Sequence, residues 1–352
     1  MKIVLLVYGI VNSSTDGRVT SAKYLASELA KQHQVTFLST GPNENRYVQD
    51  DVDYQVVKTG DGLGFFRSVK RLVSIIRKDK PKAIEYHPPA GFNFINVTYM
   101  VLLSTISRVL GTPFVVYLWG GPTQVLKFKW LFSKIVTPTN EPGFDWVPPI
   151  VDVTTFNAAK KIKSSSKSVL FMTGAKKFTP TVFEYVLKVR GLADFIEASK
   201  ELPEYEFRIS VPCLESGEGR AALNGYLVQR NALSNIKVKG VEDAAVAIAS
   251  ADVFIFPYQN EEPLFLPQSI IEAFASSTPV IVTDLVYLRK IISNKENGLL
   301  YAKGSGSDLA SKIKELENKE LRSKIVKNAL VDTKNYAPEA SIEKLTTLID
   351  SL

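Results

Sequence analysis

The stretch LFLPQSIIEAFASSTPVIVTD, Leu264–Asp284, reads as a helix entered through a proline and left through a short polar turn into a buried strand. Pro267 suits the first helical position, because its missing N–H would have had no partner there. Leu266 before it carries no oxygen with which to cap the helix. The amides of Gln268 and Ser269 are therefore left open, and together with the positive end of the helix dipole they make an anion site. Glu272 stands five residues beyond Pro267, about 7.5 Å along the axis at ~1.5 Å per residue. That offset suits a nucleoside diphosphate, with phosphate at the helix mouth and ribose hydroxyls accepted by the carboxylate.

Outward from this stretch the same alternation repeats. KIVLLVYG is a strand, SAKYLASELAKQ a helix and QVTFLST a second strand. After mid-chain the sequence runs through SVLFMTG, LADFIEASKEL, EFRISVP, VAIAS, DVFIFPY, SIIEAFASS and PVIVTD. Short, continuously apolar strands separated by amphipathic helices predict parallel sheets covered on both faces. Between the two series lies VPPIVDVTTFNAAKKIKSSSK, whose Pro pair and Lys- and Ser-rich tail read as a connector, with the boundary between 150 and 168. The expected fold is α/β, with two doubly wound parallel-sheet domains of Rossmann type and ligands beyond the carboxyl ends of the strands.

Composition narrows the class further. A chain of 352 residues exceeds what one hydrophobic core usually serves. Lys and Arg total 43 against 36 Asp and Glu, a formal +7 that favours anionic ligands or surfaces. The charge is spread rather than striped, so nucleic acid is not an expected partner. One cysteine, Cys213, cannot form an internal disulfide, which favours a reducing, cytoplasmic setting. MKIVLLVYGIV lacks a small-residue cleavage pattern and is read as a buried strand. The apolar run from Phe94 is broken by Asn96, Thr98, Ser104 and Arg108, so no membrane span is expected.

The segment from Ala249, ASADVFIFPYQNEEPLFLPQSIIEAFASSTPVIVTDLVYLRKIISNKENGLLY, resembles the nucleotide-sugar signature of the group 1 glycosyl transferases, retaining enzymes of GT-B fold. WVPPIVDVTTFN resembles the family's entry into its second domain, and DGRVTSAKYLASELAKQHQVTFLS, from Asp16, its N-terminal loop and helix. The resemblance implies two Rossmann-like domains facing across a cleft. Residues 1–150 would bind acceptor, 151–335 would bind a nucleotide-sugar donor, and the C-terminal helix 336–352 would pack back on the first domain. It also implies retaining transfer of a hexose or N-acetylhexosamine from a UDP- or GDP-sugar to a glycan or lipid-linked glycan. The alternatives are a non-catalytic nucleotide-sugar-binding or regulatory protein on the same fold and, further off, a nucleotide-sugar epimerase.

Carried over residue by residue, Glu272 matches the ribose-binding glutamate. The places of the two donor-diphosphate cations read MTGAKKF and VLKVRGLADF, which brings Lys176 and Arg190 to the diphosphate. With Gln268, Ser269 and Leu266 these form the expected donor site. The chain departs from the family at Leu264, where a first glutamate usually stands. Glu261 and Glu262 lie just upstream, and Glu262 is the favoured replacement near the transferred sugar. It departs again at Trp119, where many members place a histidine. Trp119 and Gly120 are expected either to line the cleft or to pack. His87, in AIEYHPPAGF, is the remaining candidate for acid–base work, ending a strand on the cleft side. Gly17 and Arg18, after the first strand, are acceptor or cleft candidates, Arg18 otherwise pairing with Asp16. Scarce bases suit a mechanism in which the leaving diphosphate helps take the acceptor proton while the protein positions and stabilises charge. No metal or other cofactor is expected, since there is no paired His or Cys spacing and no Asp-x-Asp in a suitable loop. GFFRSVKRLVSIIRKDKPK, from Gly64, is a basic amphipathic helix whose apolar stripe serves either the core or an anionic membrane at the cytoplasmic face.

Overall fold

Unbroken apolar runs become central strands because both faces of each are covered. In a computed structural model, the chain is described over residues 1–10, 17–59, 63–88, 94–118, 128–159, 167–175, 177–232, 234–240, 242–261 and 266–352. Two units emerge: Met1–Val151 with Leu266 and Asn335–Leu352, and Asp152–Glu261 with Pro267–Lys334.

The first unit begins with β1 (Lys2–Ile10), α1 (Gly17–Ala30), β2 (Gln34–Gly41), β3 (Asn45–Gln49), β4 (Val52–Lys58), α2 (Gly64–Asp79) and β5 (Ala83–His87). It continues through α3 (Phe94–Val109), β6 (Phe114–Tyr117), β7 (Lys134–Thr137) and β8 (Asp145–Trp146). Strand order is β3-β4-β2-β1-β5-β6-β7-β8, parallel except for β3. Side chains of β1 alternate between faces. Ile3, Leu5 and Val7 meet Val19, Leu25 and Leu29 of α1, whereas Val4 and Leu6 share a core with Leu72 and Ile76 of α2 and Met100 and Leu103 of α3. The antiparallel edge β3 departs from the all-parallel expectation. Its turn is made by Asp50 and Asp51, both left-handed at φ 49° and 60°. Positive φ at two successive turn residues is what a tight hairpin needs, and an Asp pair gives a weaker signal for it than Asn-Gly.

The amphipathic stripe of α2 goes into this core. Leu72, Ile75 and Ile76 are buried and Phe65 and Val69 pack against the same cluster. Phe66 and Leu63 remain exposed at its amino end, at 67% and 53%.

The second unit contains α4 (Val153–Ala158), β9 (Lys167–Met172), α5 (Pro180–Lys188), α6 (Leu192–Glu201), β10 (Tyr205–Ser210), α7 (Gly217–Gln229) and β11 (Ile236–Lys239). It closes with α8 (Ala244–Ala249), β12 (Val253–Phe256), α9 (Gln268–Ala275), β13 (Val280–Thr283), β14 (Leu299–Tyr301), α10 (Gly306–Glu315) and α11 (Lys319–Asp332). All six strands are parallel, in the order β11-β10-β9-β12-β13-β14. FTPTVFEYV is largely α5: Thr179 caps it by accepting from the Val182 amide, and Pro180 fills its first position. The last helix, α12 (Pro338–Asp350), belongs to the first unit, where Leu345, Leu348 and Ile349 join the core with Ile3 and Leu5. Among the described residues no helix is long and apolar enough to cross a membrane.

Each sheet reverses its winding at one place, between β1 and β5 in the first unit and between β9 and β12 in the second. Ligands of open α/β sheets lie at such switch points, beyond the strand ends.

Candidate functional site

The second unit's switch point gathers the donor candidates. Past β12 the chain reaches α9, whose first helical residue is Gln268. Pro267 precedes it in an extended conformation, φ −69° and ψ 108°, as an N-cap without a side-chain bond. This corrects the sequence reading by one position, and the chemistry survives the shift. The Ile270 amide turns back to the Pro267 carbonyl at 3.1 Å, while the Gln268 and Ser269 amides have no acceptor among the described residues. Ile270, Ile271, Ala273, Phe274 and Ala275 are buried, which orients the helix and leaves Gln268, Ser269 and Glu272 half-buried. Gln268 and Glu272 lie one turn apart on one face, ~6 Å along the axis. Leu266 is buried and takes a packing position.

Glu272 is the unusual member. Among the described residues no side chain or amide donates to its carboxyl, and loss of water alone pushes its pKa up to about 7. A carboxyl withdrawn from water without donors is costly unless a ligand supplies them.

Arg190 sits half-buried at the corner between α5 and α6. Its guanidinium lies over the rings of Tyr185 and Tyr258, at 5.3 and 5.0 Å, and has no carboxylate partner among the described residues. Gly191 beside it is left-handed at φ 78°, closing α5 and opening α6. Tyr258 follows β12, so β9 and β12, paired in the sheet, send their following segments to one place. Sequence reasoning missed the two tyrosines, because one comes from a helix and the other from a loop about 70 positions on, and no linear spacing joins such a pair.

The other candidates divide. Lys176, Glu262, Trp119 and Gly120 lie outside the described residues, as does Asp16. Glu261 is engaged with its own unit's backbone, where its carboxylate accepts from the amides of Val286 at 2.9 Å and Tyr287 at 3.5 Å. Lys239, at the end of β11, pairs with Glu242 at 3.3 Å.

In the first unit, Gly17 opens α1. Arg18 is turned onto backbone oxygens rather than into open space: it donates to the carbonyls of Tyr8 at 2.8 Å, His87 at 3.4 Å and Pro88. It thus ties together the carboxyl ends of β1 and β5, the strands that flank the switch point. His87 ends β5 as expected, with its side chain buried in the first unit. The ring is 1% exposed, stacked on Tyr117 at 5.1 Å, with Nε2 3.2 Å from the Glu85 carboxylate. Residues 83, 85 and 87 share the face that carries Ile3, Leu5 and Val7, so strand alternation sends His87 into the core under α1 and α12. A ring buried there is poorly placed to exchange protons with a sugar.

Known proteins resemble the chain in sequence and in fold. The family described as "Glycosyl transferases group 1" matches residues 182–319, which include Arg190, α9 and Glu272. The uncharacterized glycosyltransferase MJ1178 of Methanocaldococcus jannaschii is 26% identical over 191 residues, 53% of this chain and 52% of that one. The N,N'-diacetylbacillosaminyl-diphospho-undecaprenol alpha-1,3-N-acetylgalactosaminyltransferase of Campylobacter jejuni is 29% identical over 109 residues, 31% of this chain and 28% of that one. The alignments therefore span about half the length of the first relative and less of the second. In structure, Anabaena Alr3699/HepE, crystallised with UDP-glucose, superposes over 100% of both chains with a TM-score of 0.74 at 14% identity. The chain has the GT-B fold, and residues 182–319 of its second unit are similar to the group 1 glycosyl transferases.

Proposed function

We propose that the protein is a retaining, nucleotide-sugar-dependent, metal-independent glycosyltransferase that moves a hexose or N-acetylhexosamine from a UDP- or GDP-sugar to a glycan or lipid-linked glycan. The observation that carries the reading is Glu272, a half-buried carboxyl whose pKa desolvation raises to about 7 and which has no donor among the described residues, one turn inside a helix whose first two amides have no acceptor among them. A ribose diol supplies two donors to that carboxyl, and a diphosphate supplies acceptors to the Gln268 and Ser269 amides. Arg190 brings a positive charge without a competing carboxylate among the described residues, suited to the negative charge that grows on the diphosphate as the glycosidic bond breaks. The relatives' names support the class: one is a glycosyltransferase, another acts on a diphospho-undecaprenol acceptor, and the structural neighbour was crystallised with UDP-glucose.

The protein's part in the reaction is mainly binding and charge stabilisation. With His87 enclosed beside Glu85 and Tyr117, the acceptor proton is assigned to the departing diphosphate, on the same face of the sugar. Burial of His87 also favours a second reading, a nucleotide-sugar binder without turnover.

A panel of UDP- and GDP-sugars, followed by thermal shift and by slow donor hydrolysis, tests both. The enzyme reading expects stabilisation by one sugar nucleotide and release of its nucleoside diphosphate. Glu272→Ala is expected to lower affinity for that nucleotide about 10- to 100-fold, the worth of hydrogen bonds to a charged group. Binding without hydrolysis or transfer across a wide acceptor panel selects the binder, and retained affinity in Glu272→Ala contradicts the site.

A further inference from the structure

Arg190 is held by two segments that meet at the second sheet's switch point. Gly191 approaches the next loop so closely that a Cβ there would lie 1.7 Å from the Pro257 carbonyl oxygen. The Gln259 backbone amide donates to the Val189 carbonyl at 2.9 Å, joining the same two segments on the other side of the arginine. Beneath them, the side-chain amide of Gln259 donates to Asp194 at 2.9 Å and to the Pro257 carbonyl at 2.7 Å, and the Tyr301 hydroxyl donates to Asp194 at 3.0 Å. The corner bearing Arg190 and the loop bearing Tyr258 are thus one braced assembly. Tyr185 and Tyr258 meet through their hydroxyls at 3.3 Å, and both present ring faces to the guanidinium.

We propose that Tyr185 and Tyr258 form an aromatic seat for the flat guanidinium of Arg190 and hold it for the diphosphate of a bound nucleotide, making the position specific for arginine rather than for positive charge. The inference rests on the donor-site reading above. An aromatic face attracts a cation without neutralising it, so the charge stays available to phosphate. A guanidinium can lay its plane on the rings and still direct its edge N–H groups at two phosphate oxygens. An ammonium has no plane to lay down and holds its water more strongly, so it cannot satisfy rings and diphosphate in the same way. The tyrosines act through Arg190 and are positioning residues. Tyr185 is 39% exposed, so changing it tests the seat without opening the core.

Titration calorimetry of the full chain with UDP and GDP, and with uridine and guanosine as phosphate-free controls, reads the effect. For the tighter-binding diphosphate, Arg190→Lys is expected to weaken binding at least about tenfold, the scale of a lost bidentate contact. Tyr185→Leu is expected to weaken it about two- to fivefold, the scale of one partly exposed cation–π contact. Tyr185→Phe, which keeps the ring face, is expected to bind as the parent does, and nucleoside affinity is expected to stay unchanged throughout. Parent-like diphosphate binding by Arg190→Lys or Tyr185→Leu overturns the seat, as does a loss shared equally by the nucleoside. If the unaltered protein binds neither diphosphate, the donor-site reading falls and the seat with it, a result distinct from a defect confined to the variants.

Discussion

Glu272 shows how much one residue's surroundings can say about a missing partner. Its pKa of about 7 comes from lost hydration alone. A folded-state value raised above the ordinary carboxyl value of 4.5 favours the fold while the group is neutral. That contribution is whole below the unfolded value and is lost as pH rises through 4.5 towards 7. Glu272→Gln, which keeps the shape and does not titrate, is therefore expected to gain stability over the parent as pH increases. In the nucleotide-free protein the gain is on the order of 2 kcal/mol between about pH 4.5 and 7.5. Urea unfolding of both proteins across that window measures it. A difference that stays flat with pH means that water reaches the carboxylate freely.

What singles out this residue in the sequence is local: a proline entry, an uncapped helix start and a glutamate one turn in. The enclosure of His87 was less readable. It follows from which face of β5 turns to the core, and strand alternation can be assigned to a face only once the helices on either side are known. Glu262, the residue favoured by sequence, lies outside the described residues, while Glu261 accepts from the amides of Val286 and Tyr287, 25 and 26 positions away.

At the scale of the element, α2 illustrates a choice that periodicity leaves open. A basic amphipathic helix can give its apolar stripe to a sheet or to a bilayer, and here Leu72, Ile75 and Ile76 go to the sheet. What remains outward is Lys70, Arg77 and Lys78, with Phe66 and Leu63 at the amino end. The membrane alternative for this helix is consequently reduced to one of charge more than of insertion. Sedimentation with anionic vesicles is expected at low salt and expected to vanish by about 0.5 M salt, where the screening length falls to a few ångström. Neutral vesicles are expected to bring down nothing. Salt-resistant sedimentation with neutral vesicles would contradict the assignment of the apolar stripe to the core. The strands and most helices were legible from continuous apolar runs and 3.6-residue spacing. The β3–β4 hairpin was not, because its turn uses two left-handed aspartates and its outer strand is polar and exposed.

At the scale of the whole molecule, the two units use the same device differently. Both wind a parallel sheet outward from a switch point. In the first, Arg18 occupies that place with bonds to the strand ends, so its charge is spent on backbone carbonyls. In the second, the arginine lies over two rings and the first two helix amides have no acceptor among the described residues. The formal charge of +7 adds a weak general attraction for anions, but the division of labour lies in how each arginine is engaged. The most direct test of this assignment is a crystal structure of the protein soaked with UDP or GDP. The account predicts diphosphate oxygens within hydrogen-bond distance of the Gln268 and Ser269 amides and the Arg190 guanidinium, with both ribose hydroxyls on Glu272. A nucleotide bound elsewhere, or the amino end of α9 closed by the protein's own groups, would contradict it.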